Sequence, residues 1–136
     1  MHIMIGLDGS ASAERALERA LTLFKGVAPT VMLVSVIEEP LDASDMDEQL
    51  FDKWRSERQG YLKETAEKVA AQGFEVDVLI AVGDPRRMLR QAIERATPDL
   101  VVVGRRGAGG LEEMRLGSVS AYLARHAASD VLIIRG

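Results

Sequence analysis

The chain has 136 residues and a formal net charge of −4, with 47% hydrophobic and 28% charged residues. This length suits one domain around a single core, and this balance is that of a globular chain rather than a disordered one. The net negative charge and the dispersed basic residues argue against binding to a nucleic-acid polymer, while the absence of cysteine excludes a disulfide framework, a thiol nucleophile and a cysteine-ligated zinc site.

Five short apolar runs, rich in β-branched residues, alternate with longer helical patterns. The fourth and fifth runs are continuously apolar, which is typical of parallel strands covered by helices on both faces. The third run alternates between apolar and polar residues and predicts an edge strand with one wet face. The predicted strands span residues 3–7, 31–37, 74–81, 100–103 and 131–134.

The helical patterns between these runs carry recognisable start and stop signals. The first helix is capped by Ser10 or Ser12, and we expect it to end at Gly26. The third opens at Asp84 and Pro85, since aspartate caps a helix and proline at the first position sacrifices no hydrogen bond. The later helices are predicted at residues 46–72, 85–97 and 118–128. The alternation of strands and helices predicts an α/β fold with one parallel sheet and right-handed crossovers.

The first residues carry no basic region ahead of a long apolar run, so we expect no signal peptide. No apolar stretch approaches the roughly 20 residues that are needed to span a bilayer. We therefore expect no membrane association and a cytoplasmic location.

In an open α/β sheet, ligands bind beyond the carboxyl ends of the strands, where the strand order reverses. The segment after the fourth run is the most informative one, because it holds four glycines within residues 104–110 and precedes a helix that starts at Gly117-Ser118. Glycine amides can approach an anion closely, and a helix N-terminus offers unpaired amides and partial positive charge. This pattern predicts a phosphate chain between the loop and the helix, with Arg105, Arg106 or Arg115 adding charge. An ordinary flexible loop followed by an ordinary helix cap is the alternative that composition leaves open.

Two common phosphate-binding motifs do not fit. A Walker loop needs a lysine before the hydroxyl residue of its helix, and no lysine follows Lys68. A dinucleotide-binding fingerprint belongs in the first strand-to-helix turn, and residues 6–10 lack its glycine spacing. NAD and GTP binding are therefore disfavoured.

The segment Gly104-x-x-Gly107, nine further residues and Gly117-Ser118 match the signature Gly-2x-Gly-9x-Gly-(Ser/Thr). In this it resembles the ATP-binding members of the universal stress protein family. The resemblance covers the whole chain as one domain, residues 1–136, and includes Asp8 at the end of the first strand. It implies an adenine-nucleotide α-hydrolase-like fold: a five-stranded parallel sheet in the order 3-2-1-4-5, with four helices on both faces. In that order Asp8 and Gly104 stand on the two lips of one crevice.

The resemblance also implies the roles of individual residues. Asp8 would face the adenosine, and Val36 would hydrogen-bond adenine through its backbone. The other residues it implies beside the nucleotide are Gly6, Gly83, Val103, Gly104, Arg105, Gly107, Gly117, Ser118 and Val119. We expect the amides of Gly104, Gly107 and Gly117 to converge on the triphosphate. Three purely structural roles stay open as alternatives: a helix cap for Asp8, core packing for the Val36 side chain and a simple turn for Gly83.

No constellation of base, nucleophile and metal ligands is apparent. His2 lies at the start of the first strand, opposite the crevice, and His126 lies about two turns from Ser118. We expect at most slow ATP hydrolysis. On the second helix, Trp54 and Tyr61 are expected to pack in the core, near Leu50 and Leu62, and a surface for a partner is the alternative.

The resemblance thus implies an ATP-binding sensor or regulator in the stress response, with Mg²⁺ accompanying the nucleotide. It also implies a homodimer formed by antiparallel pairing of the C-terminal strand. The alternatives are a dimerisation module of the same family without nucleotide and a slow ATPase.

Overall fold

The computed structural model describes residues 1–38, 48–105 and 117–135 of the chain. In chain order its elements are β1 (His2–Gly6), α1 (Ala11–Phe24), a 3₁₀ turn (Lys25–Val27), β2 (Thr30–Ile37), α2 (Glu48–Ala71), β3 (Glu75–Val82), α3 (Pro85–Ala96), β4 (Leu100–Gly104), α4 (Ser118–His126) and β5 (Asp130–Ile134). The predicted alternation of strands and helices is confirmed.

The five strands form one parallel sheet in the order β3-β2-β1-β4-β5. The registers place Ile5 beside Leu33 of β2 and beside Val102 of β4, so β1 lies at the centre. The edge strands are β3 and β5, and the edge position of β3 is the one that its alternating pattern predicts. Strand order reverses between β1 and β4, which is where a ligand crevice is expected.

Two apolar layers cover the two faces of the sheet. Ile3 and Ile5 of β1 belong to the layer that packs under α1 and α2, while the intervening Met4 belongs to the layer under α3 and α4. All three side chains are buried. Successive strand residues point to opposite faces, so both must be apolar, and this explains the continuous apolar runs.

Helix α1 starts as expected but stops differently. The Ser10 hydroxyl oxygen accepts a hydrogen bond from the Ala13 N–H at 3.1 Å and caps the helix. The expectation that Gly26 ends this helix is wrong. α1 ends at Phe24, a 3₁₀ turn follows, and the residue that takes the left-handed conformation is Ala28, with φ of 46°.

Helix α3 follows its sequence signals at both ends. The Asp84 carboxylate accepts a hydrogen bond from the Arg86 N–H at 3.1 Å, and Pro85 is the first helical residue. Thr97 leaves the helix with φ of 45°, directly before Pro98. Helix α4 ends at His126, two residues before its predicted end, and residues 46 and 47 of the predicted second helix lie outside the described residues.

The expected core position of Trp54 is wrong, because 44% of this residue is exposed. Helix α2 has 24 residues and β2 has 8, so the helix is about 36 Å long against about 27 Å of strand. The buried residues of α2 lie from Leu62 onward, and its first turns reach past the sheet. Leu50 is exposed for the same reason.

Tyr61, by contrast, packs against the core layer under α1 and α2. Its hydroxyl donates a hydrogen bond to the Glu14 carboxylate of α1. Burial raises the pKa of Glu14, and the neighbouring charge of Glu18 adds to this effect.

None of the helices in the described residues has the length and the apolar composition that a membrane span needs.

Candidate functional site

A cavity of about 560 Å³ lies at the carboxyl end of the sheet, where the strand order reverses. Its walls come from the ends of β1, β2 and β4, the starts of α1, α3 and α4, and one residue of α2. The described residues that line it are Gly6, Leu7, Asp8, Ala13, Val34, Val36, Glu38, Arg58, Asp84, Pro85, Arg86, Leu89, Val103, Gly104, Gly117, Ser118, Val119 and Ser120. Its volume lies in the range of roughly 300–1,000 Å³ that small-molecule sites occupy.

Asp8 stands where β1 leaves the sheet, on the lip of the cavity that faces Gly104 across the reversal point. One oxygen of its carboxylate accepts a hydrogen bond from the Ser10 N–H at 2.9 Å. That contact holds the turn into α1, while Ser10 itself is the helix cap. Asp8 therefore shapes the turn and also lines the cavity.

The main-chain groups of Val36 face the cavity. Leu7 N–H donates to the Val34 carbonyl at 2.8 Å on the β1 side of β2, whereas the Ile37 carbonyl accepts from Gly83 N–H at 3.0 Å on the β3 side. Successive residues of a strand direct their hydrogen-bonding groups to alternate sides. The N–H and C=O of Val36 therefore point to the β1 side. The described pairing of β1 with β2 ends near Leu7, so these two groups lie beyond it.

Helix α4 presents its N-terminus to the cavity. Its first-turn residues are Ser118, Val119 and Ser120, whose N–H groups have no partner within the helix. The amide of Gly117, however, donates to the Arg105 carbonyl at 2.6 Å, so the expectation that this amide points at a phosphate is wrong. The Ser120 hydroxyl donates to the same carbonyl at 2.9 Å. These two bonds fix the start of α4 against the end of β4.

Gly104 also has a structural role that the sequence did not predict. A Cβ atom at this position would lie 2.5 Å from the Ser12 hydroxyl oxygen and 2.9 Å from the Ser12 carbonyl carbon and oxygen. The glycine thus lets the backbone of α1 approach β4 closely, which brings the start of the helix beside the cavity. Gly104 lines the cavity as well.

The remaining predicted residues divide into three groups. Gly6 and Val103 line the cavity, and a Cβ at Gly6 would lie 3.3 Å from Val103 Cγ1. Gly83 and Arg105 are not part of the lining: Gly83 forms a turn with φ of +146°, and the buried Nε of Arg105 has no hydrogen-bond partner among the described residues. Gly107 lies outside the described residues, as do Arg106 and Arg115.

Apart from Asp8, the charged side chains that line the cavity were not among the predicted site residues. Arg86 and Asp84 follow β3 and form an ion pair of 3.5 Å, and Glu38 follows β2. Their positions after strand ends were a usable signal. Arg58 gave no such signal, because it lies in the middle of α2 and reaches the cavity only through the packing of that helix over β2.

The two histidines lie away from the cavity lining. His2 hydrogen-bonds Thr30 and Asp99 at the amino end of the sheet, and the His126 ring packs against Tyr122 with 4.6 Å between ring centroids. Over residues 1–38, 48–105 and 117–135, no cluster of three or more histidine and acidic side chains is arranged to hold a metal ion.

Comparison with known proteins places this geometry in context. The model of the universal stress protein family matches residues 1–135. The universal stress protein Sll1388 of Synechocystis is 29% identical, with 98% of this chain and 96% of that protein covered.

Solved structures are similar over almost the whole chain. The hypothetical protein MJ0577 superposes with a TM-score of 0.88 at 26% identity, covering 99% of this chain and 95% of that one. A universal stress protein in complex with cAMP superposes with a TM-score of 0.71 at 26% identity, covering 98% and 95%.

Proposed function

The chain belongs to the universal stress protein family, and from that premise we propose that its cavity binds ATP and that the protein is a nucleotide-dependent sensor or regulator in the stress response. The proposal depends on one observation: two sets of main-chain groups face the same cavity. The N–H and C=O of Val36 face it from β2, and the first-turn amides of α4 face it from beside β4.

These groups suit the two ends of an adenine nucleotide. An adjacent N–H and C=O can pair with the ring nitrogen and amino group of adenine. The positive end of α4 favours phosphate, and the Ser118 hydroxyl can add a further donor. Since β2 and β4 lie on opposite sides of β1, the two ends are about 10 Å apart. Asp8, between them, is then beside the ribose.

The similarity to a family member in complex with cAMP supports an adenine nucleotide as the ligand class. We infer ATP because the spacing of Gly104, Gly107 and Gly117 resembles the signature of ATP-binding family members. Gly83 and Arg105 stand outside the cavity lining, and the proposal of roles beside the nucleotide for them rests on the family resemblance alone. Mg²⁺ would enter with the nucleotide, bound by phosphate oxygens and water, and the carboxylate of Asp8 has the oxygen chemistry of an outer ligand.

The nucleotide content of the purified protein tests this proposal. After denaturation and filtration, we expect a detectable amount of an adenine nucleotide, up to one equivalent, identified by its ultraviolet spectrum and by chromatography. Titration of ATP into the emptied protein should then give a one-to-one isotherm. Absence of nucleotide together with a flat isotherm would favour the nucleotide-free dimerisation module. Release of phosphate over hours, measured in the same sample, would identify slow hydrolysis.

We further propose a homodimer in the cytoplasm, formed by antiparallel pairing of β5 with its copy. Arg105 N–H donates to the Ile134 carbonyl, so Ile134 directs its main-chain groups to β4. The groups of Ile133 therefore point to the open edge of the sheet. The apolar residues of β5 are half-buried in the single chain and would be covered in the pair.

We predict that Ile133→Pro gives a monomer, because it removes the outward N–H of the edge but no hydrogen bond to β4. Light scattering of the purified variant gives the mass directly, and Ile133→Val is the matched control that should remain dimeric. A proline variant with the mass of a dimer would contradict pairing through β5.

A further inference from the structure

The cavity contains an arginine side chain that has no role in the function proposed above. Arg58 of α2 is half-buried, and its guanidinium donates a hydrogen bond of 2.6 Å to the hydroxyl oxygen of Ser35. Ser35 is 1% exposed, so this bond anchors the guanidinium to the sheet. The side chain of Arg58 is thus held in the cavity wall by a buried neighbour rather than extended into solvent.

The charge of Arg58 is only partly compensated. Within the described parts of the chain, no carboxylate oxygen comes within 4.0 Å of the guanidinium, and Ser35 is its hydrogen-bond partner. A guanidinium carries five N–H donors, and withdrawing a cation from water is unfavourable unless other groups compensate it. A ligand that offers either negative charge or an aromatic face would supply that compensation.

The position of Arg58 distinguishes between these two kinds of ligand group. Its anchor lies on β2, whereas the phosphate end of the cavity lies at α4 beside β4, about 10 Å away across two strand spacings. Ser35 lies between Val34 and Val36, so its side chain points to the sheet face under α1 and α2. The cavity residue Leu89 belongs to the layer on the opposite face. Arg58 and Leu89 thus bound the β2 end of the cavity from its two sides.

We propose that the guanidinium of Arg58, positioned by Ser35, stacks on one face of the purine ring, with Leu89 and Pro85 on the other face. This inference rests on the proposed function and assigns Arg58 to base recognition rather than to phosphate binding. A planar cation over an aromatic ring is stabilising, and the energy does not depend on how many phosphates the ligand carries. Ser35 acts through Arg58 as a positioning residue.

Calorimetric titration with ATP, AMP and adenosine tests the assignment. Arg58→Ala should weaken the binding of all three ligands by the same factor, about 3- to 30-fold. Ser35→Ala keeps the charge of Arg58 but removes its anchor. It should give a smaller loss of affinity, again by the same factor for ligands with different numbers of phosphates. Arg55→Ala removes an exposed arginine from the same helix outside the cavity, and we expect it to bind as the unaltered protein does.

Two results would overturn the assignment while leaving the proposed function in place. One is binding of all three ligands by Arg58→Ala with unaltered affinity. The other is a loss that grows from adenosine to AMP to ATP, which would make Arg58 a phosphate contact. If the unaltered protein binds none of the ligands, the proposed function fails and this inference fails with it. Circular dichroism of each variant verifies that the fold is kept.

Discussion

Replacing Gly117 with valine is expected to abolish measurable ATP binding while leaving the fold intact. Gly117 has φ of −63° and ψ of 162°, an extended conformation that valine accepts without strain. The side chain of an N-cap residue lies against the first helical turn, so the valine methyl groups would stand beside the first-turn amides at the cavity wall. Loss of two charge-assisted hydrogen bonds, at roughly 1.5–3 kcal/mol each, predicts an affinity at least about 100-fold weaker.

Calorimetric titration with ATP measures this change, and two controls make it specific. Gly117→Ser introduces a smaller side chain that is a favourable helix cap, and we expect it to retain measurable binding. Gly26→Val makes the same glycine-to-valine change at an open position near the amino ends of the strands, and its affinity should be unaltered. Tight ATP binding by a folded Gly117→Val protein would mean that the nucleotide does not reach the start of α4.

The second large effect is on stability, from Gly104→Ala. The added Cβ would lie 2.9 Å from the carbonyl carbon and oxygen of Ser12, which are backbone atoms that cannot rotate away. Overpacking of this kind costs roughly 1–3 kcal/mol, and we expect the upper end of that range because α1 as a whole must move. For a chain of this size the unfolding midpoint should fall by about 10 °C.

Gly60→Ala is the matched control for that substitution, with the opposite expected sign. Gly60 lies within α2, and a Cβ there would meet no atom within 4 Å. Alanine in a helix interior is favoured over glycine by roughly 0.5–1 kcal/mol, so the free energy of unfolding should rise. Urea denaturation followed by circular dichroism measures both variants. Equal stability of Gly104→Ala and the unaltered protein would show that α1 and β4 are not in close contact.

These substitutions illustrate what the sequence could and could not predict. The order of strands and helices follows from local patterns, such as the continuous apolar run of β4 and the capping pair Asp84-Pro85. The exposure of Trp54 could not be predicted in this way, because helical periodicity gives no information on how far α2 extends past the sheet. The length by which a helix exceeds the strand beneath it becomes apparent only in the assembled fold.

The site shows a similar division. Topology indicates that a ligand binds where the strands end, and the family resemblance indicates Asp8, Val36 and Gly104, which do line one cavity. The close approach of Gly104 to Ser12 was not predicted, since it joins two segments far apart in the sequence.

The partner of the Gly117 amide could not be foreseen either, because the Arg105 carbonyl that accepts it lies twelve residues earlier. Arg58 reaches the cavity only through the packing of a long helix. Residue types and local order thus predict which groups approach the cavity, and tertiary contacts decide which of their atoms stay available.

A crystal structure of the chain grown with ATP and Mg²⁺ would show directly whether the nucleotide extends from β2 to the start of α4. We expect phosphate oxygens at roughly 2.7–3.2 Å from the amides of Ser118 and Val119, and the edge of the adenine at the same distance from the main chain of Val36. A cavity without nucleotide at saturating ATP, or ATP bound with its phosphates away from the start of α4, would contradict the account.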